Sequence, residues 1–148
     1  MIRRGWAIRL CLAVAMALLP PAGALAASCS VSSSGLSFGP YDPFAPGALD
    51  GAGDIAVQCD ADTAYSIALG PGSGSYAARQ MPGAGTALAY NLFVAASRLA
   101  VWGDGSAGTS LVSGSVAGAH YTVYGRIPAA QNVPAGAYAD QLVITVSY

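Results

Sequence analysis

From Cys29 onward, apolar and polar positions alternate in short runs separated by clusters of Gly, Pro and Asp. A period of two is what a half-buried strand requires, because successive side chains point to opposite faces. Ile55, Val57 and Cys59 fall on one face, with Asp54, Ala56 and Gln58 on the other. The same parity groups Tyr65, Ile67 and Leu69, then Leu88, Tyr90, Leu92 and Val94. It also sets Tyr121, Val123 and Ile127 against His120, Thr122, Tyr124 and Arg126. Cys29 and Val31 alternate with serines, Leu36 and Phe38 follow, and Leu99 and Val101 lead into the turn Trp102-Gly103-Asp104-Gly105. Pro40, Pro43 and Pro46 interrupt the stretch 39–47, since proline cannot donate to a ladder. Residues 70–75, Gly-Pro-Gly-Ser-Gly-Ser, predict a flexible loop. The final run is expected to be the longest strand, with Tyr138, Leu142, Ile144, Val146 and Tyr148 on one parity. About seven short strands at this spacing predict an all-β fold, an antiparallel sandwich. No window has a helical period, and neither repeat nor linker divides the chain, so one domain is expected.

The first segment follows a different rule. Arg3-Arg4 precede an apolar run from Leu10 to Leu19, then Pro20-Pro21 and the small-residue end Ala24-Leu25-Ala26-Ala27. That is the layout of a Sec signal peptide over residues 1–27, leaving a mature domain of 28–148. The apolar run is too short for a membrane span of about 20 residues, so no stable membrane insertion is expected. A lipoprotein signal is the rival, but Leu25 sits one place too far from Cys29. The arginine pair lacks the surroundings of a twin-arginine signal. Export to the periplasm, and from there to the cell surface or medium, is the expected destination.

Composition narrows the class. The chain has neither Lys nor Glu, and only 9% of its residues are charged. A nucleic-acid binder needs a cationic face, which is missing. A disordered tail would show high charge and low hydrophobicity, whereas 54% of this chain is hydrophobic. Without its leader the chain carries three Arg against seven Asp, a net charge of about −4. Cys11 leaves with the leader, and Cys29 and Cys59 remain as an even pair in an exported protein, which predicts a disulfide. Two buried free thiols are the alternative.

Candidate chemistry is sparse. His120 is the sole histidine, on the polar parity of its strand beside Thr122 and Tyr124, and a Ser–His–Asp triad needs that ring held between a carboxylate and a nucleophile. Gly72-Ser73-Gly74-Ser75 is off the pattern of a nucleophile elbow and opens no helix. Asp60-Ala61-Asp62 reads as a turn tip rather than a glycosidase pair. Neither Asp50/Asp54 nor Asp60/Asp62 supplies the six to eight oxygens calcium takes, and no zinc ligand set exists. No enzyme activity, metal or cofactor is expected. Tyr41, Phe44, Tyr76 and Trp102 form a candidate adhesive surface of aromatic loop residues, weighed against ordinary loop packing.

Several segments, in this order, resemble the spore coat protein U domain, which is also the subunit domain of archaic chaperone–usher pili. They are Cys29 with Leu36-Ser37-Phe38-Gly39 and Tyr41-Asp42, Ile55-Ala56-Val57-Gln58-Cys59, Arg79-Gln80-Met81 and Leu88-Ala89-Tyr90-Asn91-Leu92-Phe93. Trp102-Gly103-Asp104-Gly105, Tyr124-Gly125-Arg126-Ile127-Pro128, Gly136-Ala137-Tyr138-Ala139-Asp140 and Val143-Ile144-Thr145-Val146-Ser147-Tyr148 complete the set. The resemblance implies an immunoglobulin-like sandwich that lacks its last strand. A periplasmic chaperone fills the gap, an usher exports the subunit, and the N-terminal extension of a neighbouring pilin then replaces the chaperone. By this analogy Leu142, Ile144, Val146 and Tyr148 border the groove. A donor strand needs about ten residues, roughly 33 Å of extended chain. Cleavage at the expected site leaves only Ser28, or Ala27-Ser28, ahead of Cys29. An earlier cut after Ala13-Val14-Ala15 would leave more chain, but Pro20-Pro21 would spoil it as a strand. The expectation is therefore a terminal or tip subunit that accepts a strand but offers none. The alternative is a self-complete secreted sandwich acting as a coat or glycan- or surface-binding protein.

Overall fold

The computed structural model describes residues 27–148; residues 1–26, which carry most of the expected leader, lie outside the described residues. Eight strands and no helix occur among them: β1 (Cys29–Ser37), β2 (Leu49–Cys59), β3 (Tyr65–Leu69), β4 (Arg79–Gly83), β5 (Thr86–Phe93), β6 (Val112–Gly114), β7 (Gly118–Ile127) and β8 (Ile144–Ser147). No described helix is long and apolar enough to cross a membrane. The strands form a five-stranded sheet in the order β1-β2-β7-β5-β4 and a three-stranded sheet in the order β6-β3-β8. Every pairing between them is antiparallel. The result is an antiparallel β-sandwich, as the alternation predicts, of the immunoglobulin-like kind that the resemblance implies.

The alternating apolar parities become the core. Ile55, Val57 and Cys59 from β2, Tyr65, Ile67 and Leu69 from β3, and Leu88, Tyr90 and Leu92 from β5 are all buried, with Val123 and Ile127 from β7. Two strands were not apparent in the sequence pattern. β4 holds Pro82 and Gly83, which are poor strand formers, but it lies at the sheet edge where proline is tolerated. β6 is only three residues long, too short for a visible period.

The last strand corrects the expectation most. The periodicity predicts the longest strand there, from Tyr138 to Tyr148, yet only Ile144–Ser147 pair as β8, and β2 with 11 residues is longer. Pairing needs a partner, and β3 ends at Leu69, opposite Ile144. Upstream of that point the chain bonds elsewhere: Val143 accepts from Gly70 N–H at 2.9 Å, and Ala139 N–H donates to Pro82 at 3.3 Å. The 70–75 stretch is likewise a tied turn rather than a free loop. Ser73 donates to Asp140 Oδ1 through both its N–H (3.0 Å) and its hydroxyl (2.7 Å).

The expected disulfide is present between Cys29 and Cys59, which face each other across β1 and β2. β1 then carries a bulge between Ser33 and Gly35. Gly35 adopts φ +73°, a left-handed conformation that glycine enters without cost. The Ser33 hydroxyl donates to Asp54 O and Asp54 N–H donates to the Ser34 hydroxyl, so the extra residue is fastened to β2. Past the bulge, Leu36 and Phe38 turn inward.

Candidate functional site

The sandwich is open along one side. β1 is an edge of the larger sheet and β8 an edge of the smaller, and neither has a second strand partner among the described residues. Between these edges lies a cleft of about 910 Å³. Ser33 and the run from Gly35 to Gly39 line one flank, and Leu142 and Ile144 line the other. Its floor is the core itself: Ile55, Leu69, Met81, Leu88, Tyr90, Leu92, Val123 and Ile127. Protein interiors normally leave few voids larger than a water molecule. A cavity of 150 Å³ holds one benzene ring, so this cleft has room for roughly six ring-sized groups. Val31 records the same deficit. It pairs with fully buried Val57 on the core side, yet it remains 40% exposed because nothing covers β1 there.

The floor is shaped by glycine. Leu36 and Phe38 lie flat across the inner face of the large sheet, over Gly51 of β2 and Gly125 of β7. Phe38 meets Tyr90 edge to face, with centroids 6.0 Å apart. A Cβ on Gly125 would sit 2.6 Å from the Phe38 ring and 2.9 Å from Leu36, closer than real contacts allow. Gly125→Ala is therefore expected to push Phe38 off the sheet and cost about 1–3 kcal/mol, read as a lower urea midpoint. An unchanged midpoint would show that the ring relocates freely.

One end of the cleft is polar. Tyr90 donates its hydroxyl to Asp140 Oδ2 at 2.6 Å, and Asp140 Oδ1 accepts from Ser73 and from Gln141 N–H. Burial, then the bond to Asp140, push the Tyr90 phenol up. Burial also pushes the Asp140 carboxyl up, but the hydrogen bonds from Tyr90, Ser73 and Gln141 outweigh it and hold the group below its ordinary value. The carboxylate thus has four donors and is structurally committed. Gln131 bonds to β5 and to Tyr41, a residue that lines the cleft. Its amide bonds both the N–H and the C=O of Ala89 (2.8 Å each), taking the place of a strand partner for β5.

The residues singled out from sequence separate into those the cleft gathers and those it does not. Leu142 and Ile144 line it; Val146 packs half-buried on the core, and Tyr148 lies outside it, exposed beside a separate shallow depression that Tyr65 and Gly114 also border. The candidate adhesive surface is corrected. Trp102 is 0% exposed, and its indole N–H donates to Ile67 O at 2.9 Å, so it belongs to the core. Tyr41 is half-buried, donating to Pro128 O and accepting from Gln131 N–H. Tyr76 is half-buried with the Arg79 guanidinium 5.5 Å over its ring. Only Phe44 stands free, 93% exposed on a turn closed by Ala45 N–H to Asp42 O. Aromatic residues in Gly/Pro-rich loops looked alike in sequence because burial of a loop residue depends on the sheet end beneath it.

His120 is exposed and its Nδ1 lies 2.8 Å from Asp54 Oδ2, with no nucleophile among its hydrogen-bond partners. Asp50 is engaged by Arg126 at 2.7 Å and Arg98 at 3.3 Å, and the Arg126 bond holds its carboxyl below the ordinary range. Asp60 accepts from Ser28 N–H and Asp62 from Ala117 N–H. No group of three or more metal-ligating side chains occurs among the described residues. Two contributors to the cleft were not apparent in sequence as such. Leu36 and Phe38 read as ordinary strand residues, and their role depends on glycines in two other strands.

Comparison with known proteins agrees with this architecture. Protein U of Myxococcus xanthus is 36% identical over 140 residues, covering 82% of this chain and 78% of that protein. The fold matches the crystal structure of the CsuC–CsuE chaperone–tip adhesion subunit pre-assembly complex from the archaic chaperone-usher Csu pili of Acinetobacter baumannii. The TM-score there is 0.61 at 23% identity, over 83% of this chain. The chain spans only 40% of the length of the chain it matches in that complex. The family model of the Spore Coat Protein U domain matches residues 15–145, and the chain belongs to that family.

Proposed function

We propose that the protein is an exported structural subunit of a chaperone–usher pilus, whose cleft receives a β-strand from a partner chain. The observation that carries this reading is the 910 Å³ apolar cleft flanked by two strand edges without partners. An inserted strand would pair with β1 or β8 and send alternate side chains into the hollow core, which provides both affinity and selectivity. Left empty, such edges invite aggregation. A periplasmic chaperone would cover them first, and a neighbouring pilin would replace it after passage through the usher. The mechanism is strand exchange without covalent chemistry or a cofactor. With the leader cut after Ala27, only Ser28 precedes Cys29; the subunit then accepts a strand without offering one, as a terminal or tip subunit would. Phe44 remains as an exposed contact for adhesion.

The test is co-purification from the host periplasm followed by native mass spectrometry. A one-to-one complex with a chaperone is expected for the wild type. Leu142→Arg and Ile144→Arg, which place a charge in the apolar cleft, should weaken that complex at least about 100-fold. Thr145→Arg, on the exposed outer face, should leave it intact. A stable monomer that needs no partner would overturn the reading and favour a self-complete coat or glycan-binding protein.

A further inference from the structure

Ser28 stands immediately before β1, and one aspartate holds both of its main-chain ends. Its nitrogen donates to Asp60 Oδ1 at 3.0 Å, and its carbonyl accepts from Asp60 N–H at 3.0 Å. The Cys29–Cys59 disulfide lies next to this contact, at the start of the strand that walls the cleft. We propose that Asp60 is the seat of the mature N-terminus. Hydrolysis of the Ala27–Ser28 bond turns the Ser28 amide into an α-ammonium that Asp60 holds as an ion pair.

The proposal rests on the leader reading of residues 1–27, with the cut after Ala27. A leader peptidase adds water across the peptide bond: the oxygen goes to the Ala27 carbonyl carbon, which departs as a carboxylate. The Ser28 nitrogen gains the protons and is charged at neutral pH. Before the cut, a neutral N–H meets the Asp60 carboxylate; after it, both partners are charged, and such bonds are shorter and stronger. The other charged groups are committed elsewhere, the arginines away from this end of β2. The Asp62 carboxylate accepts from Ala117 N–H, Arg98 and Arg126 sit on Asp50, and Arg79 is inside the core. Leader removal thus fastens the edge strand β1 at the moment the domain is released to fold.

The sequence makes the site readable. With no Lys anywhere in the chain, the α-amine is the only primary amine of the mature protein. An amine-reactive reagent therefore reports on this position alone. The experiment takes secreted protein, fixes its first residue by intact mass, and labels it with limiting N-hydroxysuccinimidyl acetate at pH 7.5. Wild type is compared with Asp60→Asn, which keeps an oxygen acceptor and removes the charge. The expected mass begins at Ser28. Wild type should react about threefold more slowly than D60N, the change in free amine that a surface ion pair of ordinary strength produces. The difference should vanish in denaturant. A chain beginning at Ala27 or earlier would overturn the leader boundary and the seat with it. A Ser28 start with equal rates in both proteins would overturn the ion pair while leaving the leader reading in place.

Discussion

Arg79→Met is expected to destabilise the domain by about 3–5 kcal/mol, a large part of the roughly 5–15 kcal/mol that holds a domain together. The side chain is 0% exposed and no carboxylate touches its guanidinium. Its partners are instead oxygens from three segments. Nε and Nη2 donate to Gly70 O at 3.1 and 2.9 Å, Nη1 to Asn91 Oδ1 at 2.7 Å, and Nη2 to Trp102 O at 2.7 Å. The turn after β3, the middle of β5 and the segment carrying Trp102 therefore meet at one planar fork. Burial lowers the affinity of the group for its proton, though not enough to discharge an arginine. Methionine would fill much of the same space but leave Gly70 O and Trp102 O with no donor, while Asn91 Oδ1 would keep only Leu92 N–H, and each unpaired buried group costs about 1–3 kcal/mol. Arg79→Lys should rescue little, because an ammonium cannot serve oxygens in the fork geometry. Urea unfolding of the three proteins decides the matter. A lysine variant near wild-type stability would show that charge matters here rather than geometry.

Removing the Cys29–Cys59 bond, by reduction or by the paired serine substitution, is expected to cost roughly 3.5 kcal/mol. The bond closes a sequence separation of 30 residues, and in the chain-entropy model that constraint acts on the unfolded state. It also acts locally in this fold. β1 pairs only with β2, its other side faces the cleft, and its bulge interrupts the ladder after Ser33. Without the disulfide, the strand that walls the cleft is held to the sheet by its pairing with β2 along one side. The melting temperature should fall on the order of 10–15 °C. Hydrogen exchange should speed up first in residues 29–37. Uniform loss of protection across all strands would instead place the whole effect in the unfolded chain.

Period two carried most of the fold. Ile55/Val57/Cys59, Tyr65/Ile67/Leu69 and Leu88/Tyr90/Leu92 each share a face for reasons internal to their own strands, and all nine are buried. The cysteine pair was legible for a similar reason, since two thiols in an exported chain have few alternatives. Arg79 was visible only as part of a family resemblance, because a lone arginine beside Gln80 reads as solvent-exposed until three backbone segments converge on it.

The alternation also misled in one place. Tyr138, Leu142, Ile144 and Val146 keep strand parity, yet strand pairing stops at Ile144. Parity states which face a side chain would take, and only a neighbouring strand of sufficient length turns that into pairing. Trp102 and Phe44 make the complementary point. Both sit in Gly-rich or Pro-rich connections, yet one is fully buried and the other almost fully exposed. The local sequence determined which segments could be strands, which residues face inward and where the crosslink forms, because those follow from backbone geometry and covalent chemistry within a few residues. The tertiary structure alone decided that β1 and β8 end as facing edges with a hollow between them. A missing neighbour belongs to the arrangement of all eight strands, and no single segment records it.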